Sequence, residues 1–125
     1  MYGYGKRVLV IDDDASCQEL LTTSLEQEGY IVHIAESGSA GLEEMNKRRF
    51  DLVIADSQVP GISGLEFAVL SRATWPDTPV ILLAADIEPV TEYADGHGAV
   101  ACIRKPYEAP VLLSVLRAAA ESASA

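Results

Sequence analysis

Carboxylates set directly behind short apolar runs are the most chemically suggestive feature of this sequence. Val8–Ile11 leads into Asp12, Asp13 and Asp14, Leu52–Ala55 leads into Asp56, and Val100–Ile103 is followed by Lys105 and Pro106. Runs of that length, rich in Val and Ile, read as buried strands, so these charged residues should project from strand ends. Three carboxylates at one sheet edge, Asp12, Asp13 and Asp56, repel one another and are tolerable only with a cation nearby. A hard ion such as Mg²⁺ suits them, because it takes one or two carboxylates, keeps several waters and leaves room for phosphate oxygens. Lys105 adds a point charge for an incoming phosphoryl group. An aspartate nucleophile, a magnesium ion and a lysine are sufficient parts for an aspartyl-phosphate.

The intervening segments must position those residues. Ala15–Glu28 repeats apolar residues at Cys17, Leu20, Leu21 and Leu25, the spacing of a helix, and Gly29 closes it as a C-terminal glycine does. Asp14 stands where an N-cap or a first-turn residue would. Tyr30–Ala35 is a second strand and Ser37–Lys47 a weaker helix with Leu42 and Met45 on one face. Asp51–Ala55 is the third strand; a Pro/Gly loop and a helix over Gly64–Arg72 follow. Pro79 opens a fourth strand, Val80–Ala84. Ile87–Ala94 is a poor helix, with Pro89 acceptable only in its first turn. The fifth strand is Val100–Ile103, and Pro110 lies near the start of a last helix carrying Val111, Leu112, Val115, Leu116 and Ala119. The small, polar tail 121–125 reads as frayed or as a cut linker. Strand–helix alternation implies a parallel sheet covered on both faces. Right-handed crossovers make it doubly wound, with its site at the carboxyl ends of the strands.

Composition narrows the function further. The chain has 125 residues, enough for one domain, and a net charge of −10. That sign argues against direct binding of DNA or RNA. Cys17 and Cys102 are far apart and form no Cys/His cluster, so zinc is not expected and both should remain reduced thiols. Cys102 reads as a small core residue, His33 and His97 as structural or surface residues, and Trp75 as a packing lid on a loop. No signal peptide or membrane span is expected, which places the protein in the cytoplasm.

The fragments VLVIDDD, DLVIADSQVPGISG, PVILLAA and ACIRKPY, in that order, resemble the receiver domain of two-component response regulators. The resemblance covers residues 6–120 of a single domain spanning 1–125, and implies a flavodoxin-like (βα)5 fold with strand order 2-1-3-4-5. It further implies that Asp56, with Pro60 and Gly64 behind it, is the phosphoacceptor. Asp13 would be the direct Mg²⁺ ligand, Asp12 its water-linked partner and the Gln58 carbonyl a further ligand. Lys105 would contact the phosphoryl group, across a Lys105–Pro106 bond that is commonly cis in the family. The implied donor is a sensor histidine kinase or phosphotransfer protein. The implied output face is helix four, strand five and helix five, including Tyr93, Arg104 and Val111, with dimerisation open. Beyond self-phosphotransfer and autodephosphorylation at Asp56, no enzyme activity is implied.

Two positions depart from the family pattern. Ala84 stands where a Thr or Ser hydroxyl would reach the phosphoryl oxygen, and Cys102 where an aromatic ring would rotate inward. These departures suggest signalling through loop rearrangement, a phosphate sink, or a pseudo-receiver that binds partners without phosphorylation. A rival resemblance is to haloacid-dehalogenase-type phosphohydrolases, through Asp12-x-Asp14-x-Ser16, with Asp12 as nucleophile, Asp14 as acid/base and Lys105 as their lysine. It leaves Asp56, Pro60 and Gly64 unexplained. No effector domain is present, and the Ala/Ser-rich tail mildly favours an excised domain over a standalone protein.

Overall fold

The computed structural model describes residues 4–85 and 99–124. Its elements are β1 (Arg7–Ile11), α1 (Ala15–Gln27), β2 (Ile31–Ala35), α2 (Gly38–Lys47), β3 (Leu52–Asp56), α3 (Gly64–Thr74), β4 (Val80–Ala84), β5 (Ala99–Arg104) and a C-terminal helix (Ala109–Ser124). The five strands form one sheet in the order β2-β1-β3-β4-β5, with every neighbouring pair parallel. The expected helix over 87–94, with Pro89 and Tyr93, lies outside the described residues, as does His97.

Strand alternation divides the core in two. Leu9, Ile11, Val53, Ala55, Val80, Leu82 and Ala84 point to one face and pack with Met45 of α2 and Phe67 and Ala68 of α3. Val8, Val10, Leu52, Ile54, Ile81, Leu83 and Ile103 point to the other and pack with Leu21 and Leu25 of α1 and Leu112 and Leu116 of the C-terminal helix. Because both faces are covered, the central strands are continuously apolar rather than alternating. β2, at the sheet edge, leaves Ile31 and Ile34 partly in solvent.

Local signals set the helix ends. Asp14 caps α1 by accepting from the Ser16 amide at 2.9 Å, as its position suggests. Gly29, just past the helix, takes φ +91°, a conformation that favours glycine. Ser37 caps α2, and Ser63 with Glu66 forms a reciprocal capping box at α3. Gly38 lets α2 approach the loop behind β3, since a Cβ there would stand 2.2 Å from the Ile62 carbonyl oxygen.

Three expectations are corrected. Leu20 matches the apolar period of α1 yet is 67% exposed, because Leu21 and Leu25 already face the sheet and Leu20 falls off that stripe. The tail expected to fray is helical through Ser124, its alanines favouring helix where no breaker intervenes. β3 extends one residue further, through Asp56, and α3 reaches Thr74. Leu116→Ala is expected to cost about 2–5 kcal/mol, because the side chain is fully buried. Leu20→Ala should stay within about 0.5 kcal/mol of wild type. Urea denaturation of both variants checks the pair.

Candidate functional site

The carboxyl edge of the sheet brings Asp12, Asp56 and Lys105 together. β1 delivers Asp12, which is fully buried, while Asp13 and Asp14 are exposed. β3 ends at Asp56, whose side chain is 13% exposed. Lys105 follows β5; its amide donates to the Ala84 carbonyl at 2.9 Å, and its Nζ forms a direct ion pair with Asp56 Oδ2. The other oxygen, Asp56 Oδ1, accepts from the Gln58 amide at 2.9 Å. The Lys105–Pro106 bond is cis.

The loop behind Asp56 is fixed by close backbone packing. Ser57 N–H donates to the Leu83 carbonyl at 2.9 Å, and Gly64 N–H to the Ser57 carbonyl at 3.2 Å. A Cβ on Gly64 would lie 2.0 Å from the Asp56 carbonyl oxygen, so only glycine lets α3 begin this close to the site. Pro60 is exposed in the same loop.

Electrostatics tie the three groups together. Asp12 has its pKa raised above the ordinary 3.8, first by burial and further by the charges of Asp56 and Asp13; the Asp14 amide and Lys105 oppose this. Its Oδ1 accepts from the Asp14 amide at 2.9 Å, whereas Oδ2 is buried with no hydrogen-bond partner among the described residues. Burial pulls the Lys105 ammonium down, but its hydrogen bond to Asp56 and the charges of Asp56 and Asp12 outweigh that and raise it above 10.5. Among the described residues no three Asp, Glu, His or Cys side chains form a ready-made metal cluster. An orphaned carboxylate oxygen in an all-oxygen donor set nonetheless fits a hard cation that keeps several waters.

Two further side chains border the site: Tyr107, which carries no motif in the sequence, and Cys17, which the sequence marks only as an apolar helix position and a reduced thiol. Burial pushes the Tyr107 hydroxyl up to about 12, and Cys17, Asp12 and Asp56 add to the shift. Cys17, on the first turn of α1, lies 3.7 Å from Asp14 Oδ2. Tyr107 follows Lys105 by two residues, and that nearness was its only available signal. Of the switch positions, Ala84 is buried at the end of β4, and Cys102 packs against the same core face opposite Leu82. Neither carries the hydroxyl or ring of the family pattern. His33 is half-buried edge-on to Phe50, and burial and Arg48 lower its pKa, consistent with a structural role. Trp75 caps α3 and packs on the core, as a lid would.

The family model for the response regulator receiver domain matches residues 8–117, and the chain belongs to that family. It is 38% identical over 113 residues to the uncharacterized transcriptional regulatory protein YkoG of Bacillus subtilis (strain 168), covering 90% of this chain and 50% of that protein. The chain thus spans about half the length of that relative. The crystal structure of a CheY-like receiver domain protein from Methanospirillum hungatei JF-1 has a TM-score of 0.90 at 27% identity, over 95% of this chain and 96% of that one. The receiver domain of the sensor histidine kinase PA1611 from Pseudomonas aeruginosa PAO1, solved with a magnesium ion in its active-site cleft, has a TM-score of 0.86 at 22% identity, over 94% and 98% of the two chains. The protein is therefore a receiver domain of the two-component response-regulator type, a class of switch rather than of conventional enzymes. The phosphohydrolase reading is set aside, and Asp14, its acid/base, is instead the cap of α1. No helix among the described residues is long and apolar enough to cross a membrane.

The raised Asp12 pKa has a stability consequence. The folded chain holds this proton more tightly than the unfolded chain, so the group's contribution is greatest below 3.8 and declines as pH rises through the folded value. In chelator, Asp12→Asn is expected to be more stable than wild type near neutral pH, and the difference should shrink in acid. Urea titrations at both pH values check it, and a wild type at least as stable at neutral pH contradicts it.

Proposed function

We propose that Asp56 accepts a phosphoryl group, with Lys105 as its phosphoryl contact and Asp12, Asp13 and the Gln58 carbonyl as holders of Mg²⁺. One observation carries this reading: the Lys105–Asp56 ion pair stands in the field of a buried Asp12 with an unpartnered oxygen. Phosphate and carboxylate are both anions, so a lysine that pairs with one is suited to follow the charge to the other.

The donor is a phosphohistidine of a sensor kinase or phosphotransfer protein, acting on the chain in the cytoplasm. A carboxylate oxygen of Asp56 attacks phosphorus; the P–N bond breaks, its electron pair stays on the imidazole, and that nitrogen takes a proton from water. Lys105 would shift from the carboxylate to the new phosphoryl oxygens, while the Gln58 amide keeps the other end of Asp56 oriented. Bound Mg²⁺ would offset the charge gathering on the phosphoryl oxygens. Attack by water later returns the free aspartate, and the chain turns over no other substrate. An effector or second copy would read the state at β5 and the C-terminal helix, where Arg104 and Val111 are exposed.

Intact-mass spectrometry after incubation with a small-molecule phosphodonor and Mg²⁺ tests the assignment. A single phosphoryl adduct is expected on wild type, absent in Asp56→Ala and strongly reduced in Asp12→Ala. A folded wild type that takes no adduct would instead support a phosphorylation-independent pseudo-receiver, the reading that Ala84 and Cys102 favour.

The missing hydroxyl gives a second expectation. A hydroxyl–phosphoryl hydrogen bond contributes about 1.5–3 kcal/mol. Ala84→Thr should therefore enlarge the phosphorylation-linked change in backbone amide spectra. Identical NMR shifts in the two phosphorylated proteins would count against it.

A further inference from the structure

We propose that Gln18 is a positioning residue for the metal side of this site, acting through the backbone of Asp12. The inference rests on the reading of Asp12 as a holder of Mg²⁺. Gln18 lies on the first turns of α1, half-buried, and its Nε2 donates to the Asp12 carbonyl at 2.6 Å. Its own amide donates to the Asp14 carbonyl at 3.0 Å, so Gln18 grips both ends of the turn between β1 and α1.

The remaining contacts of Asp12 show what that grip does. Its amide donates to the Ala35 carbonyl at 3.0 Å, and its Oδ1 accepts from the Asp14 amide at 2.9 Å. With the carbonyl held by Gln18, Oδ2 is left as the one polar atom of Asp12 without a partner among the described residues. The residue is fixed at three atoms and presents the fourth. An outer partner that immobilises a ligand-bearing residue raises metal affinity by removing the need to order it on binding.

The chemistry of the donor matters as well as its place. A lysine or arginine here would hold the carbonyl equally well but would weaken the negative field that attracts a cation. The neutral amide of Gln18 orients the turn and leaves that field intact. A bland helix-surface glutamine would face solvent instead of reaching back across the turn to a residue six positions earlier.

The test is calorimetric titration of the full chain with Mg²⁺, comparing wild type with Gln18→Met, which keeps length and removes the donor. The Mg²⁺ dissociation constant is expected to rise about tenfold, the low end for loss of an outer partner. The phosphorylation rate at saturating Mg²⁺ should change less than about twofold, since Asp56 and Lys105 are untouched, and the urea midpoint gives the structural control. Should Gln18→Met fail to fold, Gln18→Ala makes the same comparison. A folded variant with wild-type Mg²⁺ affinity overturns this inference and leaves the function proposal standing. A wild type that binds no Mg²⁺ overturns the Mg²⁺ reading beneath it.

Discussion

The ion pair between Lys105 and Asp56, set beside the buried charge of Asp12, is the constraint around which the carboxyl edge of this domain is organised. Two carboxylates brought close together in a partly desolvated place repel each other and lose hydration. Lys105 relieves one of them directly; Asp12 is relieved only by the Asp14 amide on one oxygen and by the more distant lysine. The site is therefore left with an excess of negative charge and one oxygen without a partner among the described residues. An excess of negative charge with an unpartnered oxygen suits a hard cation that keeps several of its waters.

The fold holds these groups together against their repulsion through backbone contacts, which change little with protonation or ligand. Asp12 and Asp56 sit on neighbouring strands paired from Val8–Leu52 to Ile11–Ala55. Lys105 reaches them because β5 pairs with β4 and its amide closes onto the Ala84 carbonyl. The loop after Asp56 is pressed between α2 and the start of α3, where Gly38 and Gly64 allow contacts that a methyl group would forbid. Apolar packing on both sheet faces supplies the stability that lets such an edge persist, although a domain's net stability of about 5–15 kcal/mol is at most a few times what a single buried charge costs.

The strands and the charged residues at their ends were legible because each is a short-range pattern. Apolar runs broken by Asp12, Asp56 and Lys105 encode both the strand and the point where it stops, and Asp14 announces a helix start through its side-chain chemistry. What was not legible depends on tertiary neighbours. The period of α1 cannot distinguish Leu20 from Leu21, because which of two adjacent leucines meets the sheet is decided by the helix's rotation against β1 and β2. The alanine-rich end of the last helix looks like a tail until it is seen to continue the helix. Tyr107 and Gln18 carry no signature of their own; one is near the site through burial, the other through a hydrogen bond that reaches back across a turn.

The substitutions at Ala84 and Cys102 bear on how a signal could leave the site. A switch can shift a population only by the difference in free energy that the ligand makes between the two states. In this chain the hydroxyl that would add to that difference is absent, and the residue opposite Leu82 is a small thiol rather than a ring with two positions. Among the described residues, main-chain hydrogen bonds link the site to the sheet: Lys105 to the Ala84 carbonyl and Ser57 to the Leu83 carbonyl. Main-chain links move with the strands and loops that carry them and have no independent rotamer to flip. A link of this kind can pass on a displacement of the loop behind Asp56 or of the Lys105 turn, and adds no side-chain flip of its own.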